Sequence, residues 1–398
     1  MTPFNLSCRQ RGFTEPLDIS LELDGQRIKG AEIRHGAVHR GIEAMARGRD
    51  PFQVLALAER VCGSCSLSNA VAFVRAMETL SFIVVPRRAS YLRTLFLELE
   101  RMASHFLWLA STCRVAGQSS LAMSALSLRE EVLNLLERLS GRRSNWGVVT
   151  FGGVRCDIDA QGAAAIGAMI SFYRRELPPF QEAFRNGTLL RARMEGIGLL
   201  PKETALLYGS VGPVARGSGL AVDLRWSSPY EAYGELEGQA VLGGIDGRPP
   251  RGDVFDRLLV RVGEIGQSLD LVQALLEGLP EGAIRTNRKR GRLHTLLKQA
   301  EGAALSLVEG PRGETLHRLV LRRGEGGLSS WRIRSATYAN ASLWPLLLKG
   351  ALLDDALLIL SSTDPCMACT ERLIETPFSA ETKALGRPEV PEAAGESR

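Results

Sequence analysis

Apolar and polar residues alternate from Leu17 to Arg34 (Leu17, Ile19, Leu21, Leu23, then Ile28 and Ile33) around Asp24-Gly25, which predicts a β-hairpin with a two-residue turn. Beyond Arg40-Gly41 the period lengthens. Ile42, Met45, Val54, Leu55, Leu57 and Ala58 have helical spacing and lead into Arg60-Val61-Cys62. Asn69 to Thr79 reads as a further helix. After Pro86, apolar residues recur every three or four positions at Leu92, Leu95, Phe96, Leu99, Met102, Phe106 and Leu109, predicting a central core helix. Ser124 to Leu139 and Asp256 to Leu279 repeat that pattern, Ala160 to Phe184 does so until it stops or bends at Pro178-Pro179, and Trp344 to Leu360 reads as one helix.

Gly141 to Gly153, Gly196 to Gly219 and Gly243 to Gly252 are rich in glycine, with proline or arginine, and read as loops between helical layers. Leu316 to Leu321 and Ser330 to Ile333 form a second hairpin, at about 315–335, closed by Gly324 to Gly327. The expectation is a mainly helical α+β fold: one domain over 1–372, with the N-terminal hairpin at 15–36, and a solvated Pro/Glu/Ala/Ser tail over 373–398.

Composition sets the class. Hydrophobic residues make up 45% and charged residues 23% of the 398 positions, as in globular proteins. Lys+Arg 49 against Asp+Glu 44 is too small a surplus to imply nucleic acid. The most apolar stretch, Leu343 to Leu360, is interrupted by Pro345, Lys349, Asp354 and Asp355, so no membrane-spanning helix is expected. Met1 to Pro16 lacks a basic start followed by an apolar core, which points to a cytoplasmic setting with reduced thiols.

The scarcer residues carry the chemistry. Four of the 7 cysteines form two C-x-x-C pairs, Cys62-Gly63-Ser64-Cys65 and Cys366-Met367-Ala368-Cys369. One pair alone fits half of a zinc site or a thioredoxin-type redox pair. Two pairs brought together from opposite chain ends make a four-thiolate site suited to zinc, iron or nickel. Arg312 sits on a rigid turn in Glu309-Gly310-Pro311-Arg312-Gly313-Glu314, and Asp364-Pro365 precedes the second pair; an arginine held over a metal by an aspartate could polarise a bound small molecule, and the alternative is an ordinary buried ion pair.

These segments, with Arg40-Gly41-Ile42-Glu43, Pro86-Arg87-Arg88-Ala89, Leu97-Glu98-Leu99-Glu100-Arg101, Gly152-Gly153-Val154-Arg155, Gly212-Pro213 with Arg216, and Asp223-Leu224-Arg225, resemble the signature set of nickel-iron hydrogenase large subunits. The resemblance is strongest to the energy-converting branch related to the 49 kDa subunit of complex I. It implies a nickel-iron centre whose iron carries carbon monoxide and cyanide, with Cys62 and Cys366 as terminal nickel ligands and Cys65 and Cys369 as bridging ones. Arg312 is then a base or electrostatic partner over the metals, oriented by Asp364. Cys369 or Cys366 accepts the proton first, and Glu15 carries protons away. Glu43 matches a magnesium position, although Arg372 stands where many relatives supply a histidine. Asn69 likewise replaces a histidine after the first pair.

The resemblance further implies a small iron-sulfur partner subunit, because the remaining Cys8, Cys113 and Cys156 form no cluster motif. It also implies integral membrane subunits that hold the chain at the cytoplasmic face, and maturation proteins; the segment after Arg372 is either removed by a peptidase, as in many relatives, or kept as an uncut tail. His39 lies in a loop that approaches the proton and quinone region in the complex I branch. The alternatives are a complex-I-like subunit without hydrogenase activity and a zinc-stabilised scaffold.

Overall fold

A computed structural model describes residues 4–7, 17–34, 38–324 and 327–370. Glu15, Cys8, Arg372 and the segment 373–398 lie outside the described residues. Three antiparallel sheets flank a helical core. In the first, β1 (Phe4–Ser7) pairs with β2 (Asp18–Asp24), which turns at Gly25 into β3 (Arg27–Arg34). The predicted hairpin is therefore two strands of a three-stranded sheet. Its far end docks on the C-terminal part of the chain: Ile28 N–H donates to the Ala351 carbonyl (2.9 Å) and Leu353 N–H to that of Gln26 (2.9 Å).

A short turn of helix, α1 (Ile42–Met45), leads to α2 (Pro51–Ala58), started by Pro51 and by Asp50, whose carboxylate accepts from Phe52 N–H at 3.0 Å. Helix α3 (Ser66–Leu80) follows the first cysteine pair, and α4 (Arg87–Val115) is the central helix. On α4 Leu92, Leu95, Phe96, Leu99, Met102, Phe106 and Leu109 are all buried, each worth about 1.5–3 kcal/mol of transfer free energy. So are Arg93, Glu98, Glu100, Arg101 and His105, because α4 is covered on several sides. Helices α5 (Ser119–Ser140), α6 (Ala160–Asn186) and α11 (Val254–Glu277) enclose it, with α7 (Thr188–Met194), α8 (Lys202–Leu207), α9 (Gly212–Gly217) and α10 (Leu224–Ser227) between α6 and α11.

One expectation is narrowed and three are corrected. Helix α6 does not stop at Pro178-Pro179 but runs through to Asn186. Its apolar stripe continues across the prolines, with Tyr173 stacked on Phe106 at 5.8 Å and Phe180 edge-on to it at 5.9 Å, and tertiary packing outweighs the lost backbone bonds. The Gly196 to Gly219 segment contains α8 and α9. The second hairpin is again three-stranded: after a two-strand ribbon, β4 (Val149–Thr150) and β5 (Gly153–Val154), and helix α12 (Arg290–Gln299), the chain forms β6 (Gly302–Gly310), β7 (Gly313–Leu321) and β8 (Leu328–Arg334). After α13 (Ala336–Asn340), the predicted helix Trp344 to Leu360 is two, α14 (Trp344–Leu348) and α15 (Leu353–Ser362), broken at Gly350, whose φ is 82°.

Candidate metal centre

The first thiol pair occupies the link between α2 and α3. Arg40 holds that link by donating to the carbonyls of Arg60 (2.9 Å) and Val61 (2.8 Å). Cys65 is the residue before the first turn of α3, and Glu100 from α4 caps that turn. The Glu100 carboxylate accepts from Leu67 N–H (2.7 Å), Ser68 N–H (3.0 Å) and the Ser68 hydroxyl (2.6 Å), satisfying donors that a helix start leaves open. Burial nevertheless pushes the Glu100 carboxyl up to about 7.

The second pair follows α15 through Asp364, which holds the left-handed φ of 56° that aspartate tolerates better than most side chains. Cys366 N–H donates to the Thr337 hydroxyl (3.3 Å), and Ser335 Oγ donates to the Cys369 carbonyl (2.9 Å). The two chain ends thus meet at sulfur. Cys62 Sγ lies 3.4 Å from Cys366 Sγ, well beyond a disulfide bond, and the sulfurs of Cys62, Cys366 and Cys369 all lie within 4.8 Å of one another. Cys65 lies outside that three-sulfur group and adjoins it through a hydrogen bond between its thiol and that of Cys62.

Arg312 stands over this group on the turn between β6 and β7. Arg101 fixes the turn from below, donating to the carbonyls of Glu309 (2.7 Å) and Gly310 (3.1 Å). Glycine permits it to approach α9: a Cβ on Gly212 would lie 2.1 Å from the Arg312 carbonyl oxygen, and one on Gly313 2.6 Å from Gly212 Cα. The guanidinium then spans the two chain ends. Its Nε donates to the Asp364 carbonyl (3.1 Å), Nη2 pairs with Asp364 Oδ1 (2.9 Å), and Nη1 reaches Ser64 Oγ (2.7 Å) and Cys65 Sγ (2.9 Å). Burial disfavours its charge, but Asp364 and the sulfurs of Cys65 and Cys62 hold its pKa well above the usual arginine value.

Hydrogen bonds from the Cys366, Cys369 and Cys65 thiols, reinforced by Arg312, pull the Cys62 thiol well below the ordinary range. The Cys65 thiol is pushed well above it by its bond to Cys62 and by burial. Without a metal one negative charge is thus held at Cys62 and shared with its neighbours, and deprotonating all four sulfurs would require a cation to neutralise them. Asp364 Oδ2 is also buried without a hydrogen-bond partner among the described residues. The donor set fits a soft transition metal.

Other expected residues are placed differently. Glu43 is outside the sulfur cluster: Oε2 pairs with Arg332 (2.9 Å) and Oε1 accepts from Ile333 N–H (2.7 Å). It lines a cavity of about 220 Å³ with His39, Val61 and Cys369. Asn69 donates to the Cys65 carbonyl (2.8 Å) and bonds His317 at 3.1 Å, while Trp331 donates to His317 Nδ1 at 3.3 Å. His317 therefore donates through Nε2 to Asn69, and a histidine from β7 is coupled to the position where relatives carry one on α3. Sequence reasoning missed His317, Ser64 and the Glu100 cap. A buried ionic cluster of Glu98, Arg101, Arg216, Asp223, Arg225, Glu264 and Glu309 backs the Arg312 turn, with Arg216 Nη1 2.9 Å from Glu309 Oε1 and Nη2 2.7 Å from Glu264 Oε1.

Residues 116–372 match the family model described as respiratory-chain NADH dehydrogenase, 49 Kd subunit, and residues 40–111 match nickel-dependent hydrogenase. The chain is 38% identical to the membrane-bound hydrogenase subunit alpha of Pyrococcus furiosus over 91% of this chain and 85% of that one. It is 34% identical to the carbon monoxide-induced hydrogenase of Rhodospirillum rubrum, over 90% of this chain and 96% of that one. In structure it resembles a chain of the membrane-bound sulfane sulfur reductase, an archaeal respiratory membrane complex, with TM-score 0.85, 29% identity, and coverage of 93% and 98%. No helix of the described residues is long and apolar enough to cross a membrane.

Proposed function

The chain belongs to the energy-converting nickel-iron hydrogenase large subunits related to the 49 kDa subunit of complex I, and from that premise we propose that it catalyses reversible oxidation of dihydrogen to two protons and two electrons. The observation that carries this reading is the gathering of the Cys62, Cys366 and Cys369 sulfurs, with Cys65 bonded to Cys62 beside them, beneath a charged Arg312. Cys62, Cys65, Cys366 and Cys369 would hold a nickel-iron centre whose iron carries carbon monoxide and cyanide. Bound there, the metals would supply Lewis acidity and two-electron redox capacity.

The residues of the chain do the rest. Arg312 stays protonated, so it acts as an electrostatic partner that orients and polarises rather than as a base. Asp364 holds it through two contacts, at Nε and Nη2. The sulfur of Cys366 or Cys369 would hold the proton that hydrogen oxidation releases. Cys369 is half-buried and lines the cavity shared with Glu43 and His39, which gives it an outlet. Glu15 is proposed to carry protons onward, and a magnesium ion at Glu43 would have to displace Arg332.

Electrons leave through a small iron-sulfur subunit, integral membrane subunits hold the chain at the cytoplasmic face, and maturation proteins load the metals, with a peptidase removing the segment after Arg372. A second reading, a complex-I-like subunit passing electrons to quinone or sulfur, is supported by the extent of the 49 Kd match and by the sulfane sulfur reductase likeness. Metal analysis with infrared spectroscopy decides. Nickel plus iron, bands of carbon monoxide and cyanide, and hydrogen turnover are expected; matured protein holding zinc alone sinks the proposal.

A further inference from the structure

A second cavity, of about 380 Å³, opens between α2, the β4–β5 ribbon and the loop leading into α12. Arg155, Arg285, Arg288 and Arg290 all line it, and no carboxylate does. Among the described residues none of the four is in an ion pair. Their positions are built into the backbone. Val154 N–H donates to the Ile284 carbonyl (3.0 Å) and Thr286 N–H to that of Gly152 (2.8 Å). Arg285 donates to the carbonyls of Val154 (2.8 Å) and Arg155 (3.1 Å). Gly153 permits this seam, since a Cβ there would meet the Ile284 oxygen at 2.1 Å. The cavity also has an apolar wall: Phe52 and Phe151 pack edge-on at 5.0 Å, and the Arg290 guanidinium lies 5.6 Å over Phe52.

Four exposed guanidinium groups gathered on one cavity repel one another, and the Glu59 carboxylate, which interacts with Arg155, offsets only part of that charge. Arginine forks match the free oxygens of a phosphate ester, which carries nearly two charges on three oxygens as a monoester and one charge on two oxygens as a diester. The volume is that of a small-molecule site, and the phenylalanine wall suits the organic part of an ester. We propose that this cavity binds a phosphate ester, either a soluble metabolite or the headgroup of an anionic phospholipid. The inference is independent of the reaction proposed above, and nickel content does not enter its test.

The test titrates the full chain with inorganic pyrophosphate at about 0.15 M salt. In parallel the chain is co-sedimented with phosphatidylglycerol or phosphatidylcholine vesicles. Both arms are repeated with R288Q/R290Q, two exposed side chains whose loss should leave the melting temperature unchanged. One pyrophosphate per chain, weakened about tenfold or more by the double substitution, supports a soluble ester. Sedimentation with phosphatidylglycerol alone, weakened likewise, supports the headgroup. If the double variant melts early, the single R288Q carries the same reading. Binding that neither variant weakens, or no binding in either arm, overturns the proposal. A poly-glutamate peptide that binds more tightly than pyrophosphate also overturns it, assigning the cavity to an acidic protein segment.

Discussion

Arg312 and Asp364 face each other across the sulfur cluster, with Nη2 2.9 Å from Oδ1, and this pairing turns the remaining guanidinium nitrogen onto Cys65 at 2.9 Å. Lysine has one ammonium and no fork, so it can keep either contact but not both. Arg312→Lys is expected to retain nickel and iron and to lose hydrogen turnover by about a hundredfold or more, the scale of removing an oriented electrostatic donor. Metal analysis alongside hydrogen-deuterium exchange checks it; an unchanged rate removes Arg312 from the mechanism.

Cys62→Ser and Cys366→Ser each delete a proposed terminal ligand. Nickel content and turnover should both vanish while the chain stays soluble, because the surrounding core does not depend on those sulfurs. Full nickel occupancy in either variant refutes the ligand assignment.

Glu100 gives the fold a pH dependence with a defined sign. Its folded pKa, about 7, lies above the ordinary value of 4.5, so the protonated form is favoured in the folded state. Its contribution is fully present below about 4.5 and is lost as pH rises through about 7, amounting to roughly 3 kcal/mol. Glu100→Gln removes the charge and keeps one acceptor oxygen, for Leu67 N–H or for Ser68 but not for both. Denaturant midpoints measured across pH 4.5 to 7.5 should therefore slope less in the variant than in the wild type, and parallel profiles contradict the assignment.

Gly212→Ala brings a methyl group against the Arg312 carbonyl, at a position whose φ is 65°. The β6–β7 turn must retreat, at about 2–4 kcal/mol, and Arg312 moves with it. A lower melting temperature together with reduced turnover is expected, whereas loss of stability alone separates the turn from the chemistry.

Much of this arrangement is legible in the residues. The period of Leu92 to Leu109 marks the central helix, and the cysteine pairs, Arg312 and Asp364 mark the metal centre, because each carries its signal locally. What is hidden depends on partners distant in sequence. The α14–α15 break is masked because apolar residues flank Gly350 on both sides. Strand β6 reads as part of a mixed segment until β7 pairs with it. Nothing in the helical period shows that the charged Glu98, Glu100 and Arg101 are buried, and only Ser68, Glu309 and Arg225 reveal how they are satisfied. His317 is silent alone, since its meaning lies in Asn69, 248 residues away.

The contact between Cys62 and Cys366 closes over 304 residues. A ribosome adding about 5–20 residues per second delivers the first thiol pair roughly 15–60 seconds before the second. Through that interval the early cysteines are a half-built site with two exposed sulfurs, open to oxidation or to capture of zinc. Biosynthesis of this protein therefore has a vulnerable window set by chain topology, which a chaperone that shields Cys62 and Cys65 until the last strand and helices arrive would close.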